Sequence, residues 1–384
     1  MSKNVYQSTS THFLLVITGA YNLQGGIAAA NRLVIQSLLS DHSVDIYALN
    51  EPIGSSLKYQ HLPKVSYHSF NLNKIKFAFA VWVVILRRRY KIVFCDHANL
   101  SSILAPLRLM GLIHYTLRLN GIEVFSSHLD AQGKFGIMNA SRLLAISSYT
   151  QEQINLSFPE LDVQVVDLSL DLEHSQDLAL VEAHRPPLDL TASDGSLQSL
   201  RHLIILHVGR MATSEQYKGQ DVLIQAMPQI LELHPQAQLV FAGQGDDMER
   251  LLVLARSNSP EVQAAIFFAG FVSEELLTQL YQQCYVFAMP SRGEGFGLVY
   301  IEAMRWAKPC IASRVDAAQY IVQHEITGLL VEDATSSESV AHTVINLLDD
   351  PERARQYGLA GYQRVLEHYT FEHFRERFLT SLNS

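Results

Sequence analysis

Two carboxylates frame a glycine-rich turn in the run CYVFAMPSRGEGFGLVYIEAMRWAKPCIAS, residues 284–313. Glu294 lies in the turn, Glu302 lies on the segment after it, and seven residues separate them. A carboxylate accepts hydrogen bonds from a pair of neighbouring hydroxyls, which is what a sugar or a ribose offers. Between the two glutamates, Gly295-Phe296-Gly297 leads into a helical pattern that starts at Leu298. Free N–H groups and the helix dipole favour an anion at such a start. The glycines alone also suit a plain strand–loop–helix joint of any α/β enzyme, and the paired glutamates set this run apart. Two cations could serve the same ligand. Arg210 follows Gly209 at the end of the apolar run Leu203 to Val208, and Lys218-Gly219 precedes a helical pattern from Asp221. A diphosphate suits such a pair, because Arg offers a bidentate fork and Lys a point charge.

The elements that must hold these residues follow one grammar. Tyr285 to Met289 reads as a buried strand, Pro290-Ser291 breaks it, and Pro309 stops the helix before a strand at Ile311. Further strands are expected at Gln238–Ala242 and Ala265–Ala269, the latter followed by Gly270, Phe271 and Val272. In the first half, strands are expected at Phe13–Thr18, Asp45–Leu49, Val65–Phe70, Ile92–Cys95, Tyr115–Leu119, Leu143–Ile146 and Val163–Val166. Helical segments fit between them. The alternation predicts parallel sheets with helices on both faces, and ligands at the carboxyl ends of the strands.

Three loops of the first half reach that edge. Gly25-Gly26 opens the first helix and can approach a phosphate, although a tight turn explains it equally, and the G-x-G-x-x-G dinucleotide pattern is absent. Asp96-His97-Ala98-Asn99 and Asn120-Gly121-Ile122-Glu123 each follow a strand. His97 has no second ligand at metal spacing. Residues 183–200, with Pro186-Pro187, Gly195 and several Ser and Asp, have linker chemistry. The expected division is a domain over 1–185, a linker or surface loop over 186–199, a second domain over 200–366, and a tail over 367–384 that packs back on the first.

Composition bounds the rest. The 384 residues suffice for two domains, and the net charge of −9 argues against nucleic acid as the main partner. Cys95, Cys284 and Cys310 are scattered and fit a reducing cytoplasm. The apolar part of the N-terminus reads as a strand rather than a signal peptide, and no run approaches the roughly 18 apolar residues of a membrane span. The run KIKFAFAVWVVILRRRYK, residues 74–91, fits two descriptions. One is a surface helix dipping into an anionic membrane at the inner face of the cytoplasmic membrane. The other is a core helix with its basic end in water, which apolar residues on every side favour.

With these residues in place, the chain resembles a retaining glycosyltransferase of the glycosyltransferase family 4 type. The resemblance rests on HVGR at 207–210, KG at 218–219, FAGQG at 241–245, FAGFV at 268–272, PSRGEGFGLVYIEAM at 290–304 and ITGLLV at 326–331. It is looser over the first half, through Gly25-Gly26, NGIEV at 120–124, AISSYT at 145–150 and Asp171. It implies a GT-B fold, two Rossmann-like doubly wound domains facing across a cleft that closes over the substrates. It also implies a nucleotide sugar donor, UDP- or GDP-linked, as co-substrate, with no cofactor. The acceptor would be a glycan or a lipid-linked molecule. By the resemblance, Arg210 and Lys218 hold the diphosphate, Glu302 binds the ribose and Glu294 the sugar. Gly209, Gly295, Phe296, Gly297 and Leu298 line the donor, Phe271 and Val272 meet the base, and Gly25-Gly26 closes on the phosphate. The family commonly has His-Gly where this chain has Asn120-Gly121, so Asn120 or the neighbouring His97 would take that role. No Asp-x-Asp occurs, so a metal bridging the diphosphate is not implied. Two other functions share this architecture: a nucleotide-sugar epimerase or hydrolase, and a non-catalytic donor-binding subunit.

Overall fold

The computed structural model describes residues 12–22, 25–39, 42–55, 64–88, 90–125, 129–170, 187–200 and 203–383. The chain forms two compact units. One comprises Met1–Asp171 together with Thr370–Ser384, and the other Leu172–Tyr369.

The first unit is built on seven parallel strands: β1 (His12–Ile17), β2 (Ser43–Ala48), β3 (Val65–Ser69), β4 (Ile92–Cys95), β5 (Tyr115–Leu119), β6 (Arg142–Ala145) and β7 (Val163–Val165). They lie in the order β3-β2-β1-β4-β5-β6-β7. The central strand β1 is nearly continuous in apolar residues because a parallel sheet with helices on both faces buries every side chain. Leu15 stands between Ile46 and Phe94, and none of the three is more than marginally exposed. The order reverses beside β1. The loops after β1, β4 and β5, which carry Gly25-Gly26, His97 and Asn120, therefore leave one edge of adjacent strands.

The C-terminal helix Phe371–Asn383 belongs to this unit. Phe378 meets Phe94 of β4 edge-on at 5.7 Å and stacks on Phe374, and both of these tail rings are buried. Arg377 donates to the Asp167 carbonyl at 3.2 Å, and Arg142 of β6 donates to the Leu382 carbonyl. The helix Lys74–Arg87 departs from the core-helix description. Phe77, Val81 and Ile85 are buried, but the opposite side is apolar and faces out.

The second unit has a hairpin and a six-stranded parallel sheet. The hairpin pairs β8 (Asp189–Thr191) with β9 (Leu197–Ser199). The sheet comprises β10 (Ile204–Val208), β11 (Gln238–Ala242), β12 (Ile266–Gly270), β13 (Val286–Ala288), β14 (Cys310–Ser313) and β15 (Gly328–Val331), in the order β12-β11-β10-β13-β14-β15. The hairpin falls in the stretch expected to be linker or surface loop. It is held to the sheet edge, since Ala192 bridges Phe267 and Ser193 donates to the Ile266 carbonyl at 2.7 Å. Again the order reverses beside the central strand, β10, so the loops after β10 and β13 are neighbours. Those loops carry Arg210, Lys218 and Glu294.

Truncating Phe378 would empty the space between the tail helix and β4. Phe378→Ala is expected to cost about 3 kcal/mol or more of unfolding free energy. Urea unfolding followed by tryptophan and far-UV signals checks this, and a loss below about 1 kcal/mol would mean that the tail is not part of the core.

Candidate functional site

The second unit collects a charged ring from two loops. After β10 the chain turns at Gly209-Arg210, runs through a short 3-10 stretch Thr213–Lys218, and enters the helix Gln220–Leu233 through Gly219. Gly219 is left-handed, with φ 78°, and a β-carbon there would lie 2.6 Å from the Pro290 carbonyl oxygen. Only glycine allows both the conformation and the approach. Pro290 opens the loop of Glu294, so this glycine sets the spacing of the two loops. Their backbones are laced as well, with the Arg292 N–H donating to the Tyr217 carbonyl at 2.8 Å. His207 on β10 adds a tie. Burial pushes its imidazole down to about 3, so it is neutral, and its Nε2–H donates to the Lys218 carbonyl at 3.2 Å.

Lys218 is therefore delivered between two carboxylates. Its Nζ lies 3.2 Å from Glu294 Oε1 and 3.4 Å from Glu215 Oε2, and all three side chains are largely buried. Burial alone would lower the ammonium. Glu294 and Glu215 outweigh it and hold Lys218 above its ordinary value. Arg210 pairs with the other oxygen of Glu215 while its guanidinium stays exposed. So the structure brings Arg210, Lys218 and Glu294 together through Glu215, a residue that sequence reasoning missed. Its position three residues before Lys218 on a helical turn was the available signal.

A second missed residue shapes the Glu294 loop. Asp316, fully buried after β14, accepts from the Ser291 hydroxyl at 2.6 Å, the Glu294 N–H at 2.9 Å, the Gly293 N–H at 3.1 Å and the Ala318 N–H at 3.0 Å. The Glu294 carbonyl in turn accepts from the Ala317 N–H at 3.2 Å. Burial raises Asp316 to about 6, and the nearby Glu294 charge adds to this, while the hydroxyl and N–H bonds oppose it.

The loop then reaches Gly295, Phe296 and Gly297. The Phe296 ring is buried against Tyr369, so the residue contributes its backbone rather than its side chain to the loop surface. Gly297 has φ 98° and caps the helix Leu298–Arg305. On that helix Glu302 accepts from the Tyr281 hydroxyl at 2.8 Å, and burial raises its carboxyl. Tyr281 thereby fixes one oxygen of Glu302. Glu302 is thus held by a different partner from those of the Lys218 ring. At the other side of the sheet, Gly270 has φ 65° and the Phe271 ring after it is exposed, with Val272 half-buried beside it.

The expected residues of the first unit form their own group. Gly25 has φ 110° and, with Gly26, is exposed at the start of the first helix. Glu51, after β2, accepts from the Ala20 and Tyr21 N–H groups at 2.6 Å each, so part of that loop already holds a carboxylate. Asn120 and the His97 loop do meet, because Asn120 Nδ2 donates to the Asp96 carbonyl at 2.5 Å. Asn120 Oδ1 accepts from Arg118 Nε at 2.7 Å. The Asp96 carboxylate accepts from Thr18 and Asn31, and Asn31 accepts from Arg118. His97 caps a short helix, its Nδ1 accepting from the Asn99 N–H at 3.2 Å. Asp171 lies outside the described residues. No group of three or more His, Cys, Asp or Glu that could hold a metal ion occurs among the described residues.

A family model described as glycosyl transferases group 1 matches residues 194–364, which contain the whole Lys218 ring and Glu302. Over this segment, just under half of its length, the chain is similar to the glycosyl transferases group 1 family. Over 174 residues, 44% of each chain, it is 35% identical to a GDP-mannose-dependent monoacylated alpha-(1-6)-phosphatidylinositol monomannoside mannosyltransferase of Corynebacterium glutamicum. The chain spans about two-fifths of the length of the curated relatives that it matches at such identity. Solved structures agree on the fold, GT-B. Sucrose-phosphate synthase from Thermosynechococcus elongatus matches with a TM-score of 0.77 and 22% identity, covering 97% of this chain and 98% of that one. Anabaena HepE in complex with UDP matches with a TM-score of 0.74 and 17% identity, covering 97% and 99%.

Because folded Asp316 holds its proton more tightly than an unfolded aspartate, it makes stability fall as pH rises from about 4 to about 6. Asp316→Asn is expected to flatten that part of the profile. Urea midpoints for both proteins across this range check it, and identical slopes would contradict the account.

Proposed function

We propose that this protein is a member of the glycosyl transferases group 1 family that transfers a sugar from a nucleoside-diphosphate sugar to an acceptor hydroxyl with retention at the anomeric carbon. The observation that carries the reading is the Lys218 ammonium held between Glu215 and Glu294 with Arg210 beside it, next to the loop that opens the Leu298–Arg305 helix. Lys218 and Arg210 neutralise the departing diphosphate, and the backbone of Gly295 to Gly297 adds N–H groups. Charge stabilisation of this preorganised kind supplies the largest share of such a barrier. Glu294 accepts from hydroxyls of the donor sugar and orients it. Glu302, with one oxygen fixed by Tyr281, accepts from the ribose hydroxyls. Phe271 and Val272 meet the base, and Gly209 and Leu298 border the donor. The acceptor oxygen attacks on the face the diphosphate leaves, the glycosidic C–O bond to phosphate breaks as the new C–O bond forms, and a phosphate oxygen takes the acceptor's proton.

The donor base is uracil or guanine. The acceptor is a growing glycan or a lipid-linked molecule, in polysaccharide, lipopolysaccharide or glycolipid assembly, and the work is cytoplasmic. The 74–91 run belongs to the same reading, as a peripheral contact with the inner face of the membrane. No helix among the described residues is long and apolar enough to cross it.

One observation favours a second reading, a donor-binding subunit without turnover. Both polar ends of the Asn120 amide are engaged, by Arg118 and by the Asp96 carbonyl, which leaves one N–H and one lone pair for a ligand. Turnover with any acceptor excludes that reading.

The roles of the two glutamates are separable. Glu302→Ala is expected to weaken nucleoside diphosphate binding about tenfold or more, the worth of a bond to a charged group. Glu294→Gln, which can still bond to Lys218, is expected to lower turnover about 100-fold with binding little changed. Calorimetry and donor-consumption assays check this, and equal binding losses in the two variants would contradict the division.

A further inference from the structure

The helix Lys74–Arg87 has two apolar faces. Phe77, Val81 and Ile85 point into the core of the first unit, where Phe77 meets Phe70 edge-on at 5.3 Å. The other face repeats at helical spacing in solvent: Ile75 is 84% exposed, Phe79 72% and Leu86 63%, with Trp82 partly exposed between them. Trp82 is not loose. Its indole N–H donates to the Ile103 carbonyl at 2.8 Å, which turns the polar atom inward and leaves ring surface on the outer stripe. That carbonyl precedes the short helix Ala105–Leu109, whose end exposes Leu109, Met110 and Leu112. A soluble surface scatters such residues singly, so a stripe of them marks a contact.

Charge indicates what it contacts. Between Pro52 and Ile122 the sequence has ten Lys and Arg and one acidic residue, Asp96, in a chain of net charge −9. Asp96 is fully buried, so no acid from this stretch reaches the surface. Lys74 and Lys76 lie at the helix's first turn, where the dipole disfavours cations and no acid offsets them. Arg87 stands exposed at the other end. Arg88 is committed in part, to Asp45 of β2 at 2.9 Å. Cations at both ends of an apolar stripe, with an aromatic ring at its middle, match a bilayer with anionic headgroups.

We propose that the 74–87 helix is a membrane-docking surface. It lies flat in an anionic lipid monolayer, with Ile75, Phe79, Trp82 and Leu86 in the acyl boundary and Lys74, Lys76 and Arg87 on lipid phosphates. This deepens the reading of a lipid-borne acceptor, yet vesicle binding requires no transfer reaction, so the two fail separately.

The test is co-sedimentation of the full chain with phosphatidylglycerol–phosphatidylcholine vesicles and with phosphatidylcholine vesicles alone, at low and high salt. Binding at least tenfold stronger to the anionic vesicles, and weakened by salt, is expected. Tryptophan emission should shift to the blue, a change that reports Trp82 because Trp306 is buried. The double variant Phe79→Ser with Leu86→Ser changes only exposed side chains and should keep its thermal midpoint while losing at least tenfold in vesicle affinity. No binding to anionic vesicles, or binding that survives the double variant, overturns the proposal. So does a dimer in solution that this variant dissolves, since a second copy would then be the occupant. Titration of the same double variant with UDP and GDP keeps the donor site's fate apart from the docking surface's.

Discussion

The site depends on one ammonium ion kept out of water. Removing a Lys head group from solvent costs several kcal/mol unless it is paired and hydrogen-bonded. Lys218 meets that cost with two carboxylates, Glu215 and Glu294, each drawn from a different loop. Losing either one leaves charge uncompensated in a mostly dry place. The three groups are therefore locked to each other, and the loops after β10 and β13 are locked with them. Arg210 completes the ring from its exposed side, so it is the member free to turn toward an arriving ligand.

Everything around this ring serves to bring the two loops close. Parallel strands deliver both to one edge. Gly219 lets the start of one helix meet the Pro290 carbonyl, and Gly243 has φ 143° with a would-be β-carbon 2.0 Å from the Gly209 carbonyl oxygen. A side chain at Gly219 would force the Lys218 loop away from the Glu294 loop, and one at Gly243 would force the loop after β11 away from the Gly209-Arg210 turn. Asp316 works from the next strand, holding the Gly293 and Glu294 N–H groups and leaving the Glu294 side chain to face Lys218. Burying a carboxylate so that it arranges another carboxylate is costly, and its raised pKa registers the cost. The first unit repeats the theme in Asp96, whose carboxylate gathers Thr18 and Asn31 and, through them, Arg118 and Asn120.

Much of this was legible in the sequence because parallel strands are continuous apolar runs. Twelve of the thirteen strands of the two sheets fall where apolar runs were read as strands, with edges moved by a residue or two, and β15 was met only as part of the ITGLLV motif. Arg210, Lys218, Glu294 and Glu302 announced themselves through neighbouring glycines and spacing. Glu215 and Asp316 did not, because their importance comes from which loops become neighbours, and strand order is a non-local fact. The 186–199 stretch looked like linker because Pro, Gly, Ser and Asp also build tight hairpins. The 74–87 helix misled through hydropathy alone: apolar residues on all sides read as burial, whereas Ile75, Phe79, Trp82 and Leu86 face out.

The most direct test of the account is a calorimetric comparison of UDP with UMP and of GDP with GMP, on the full chain. If the Lys218 ring is a diphosphate site, the diphosphate of the preferred base binds at least about tenfold tighter than its monophosphate, or about 1.4 kcal/mol. Equal affinities within each pair, or no binding of either nucleotide by folded protein, would contradict it.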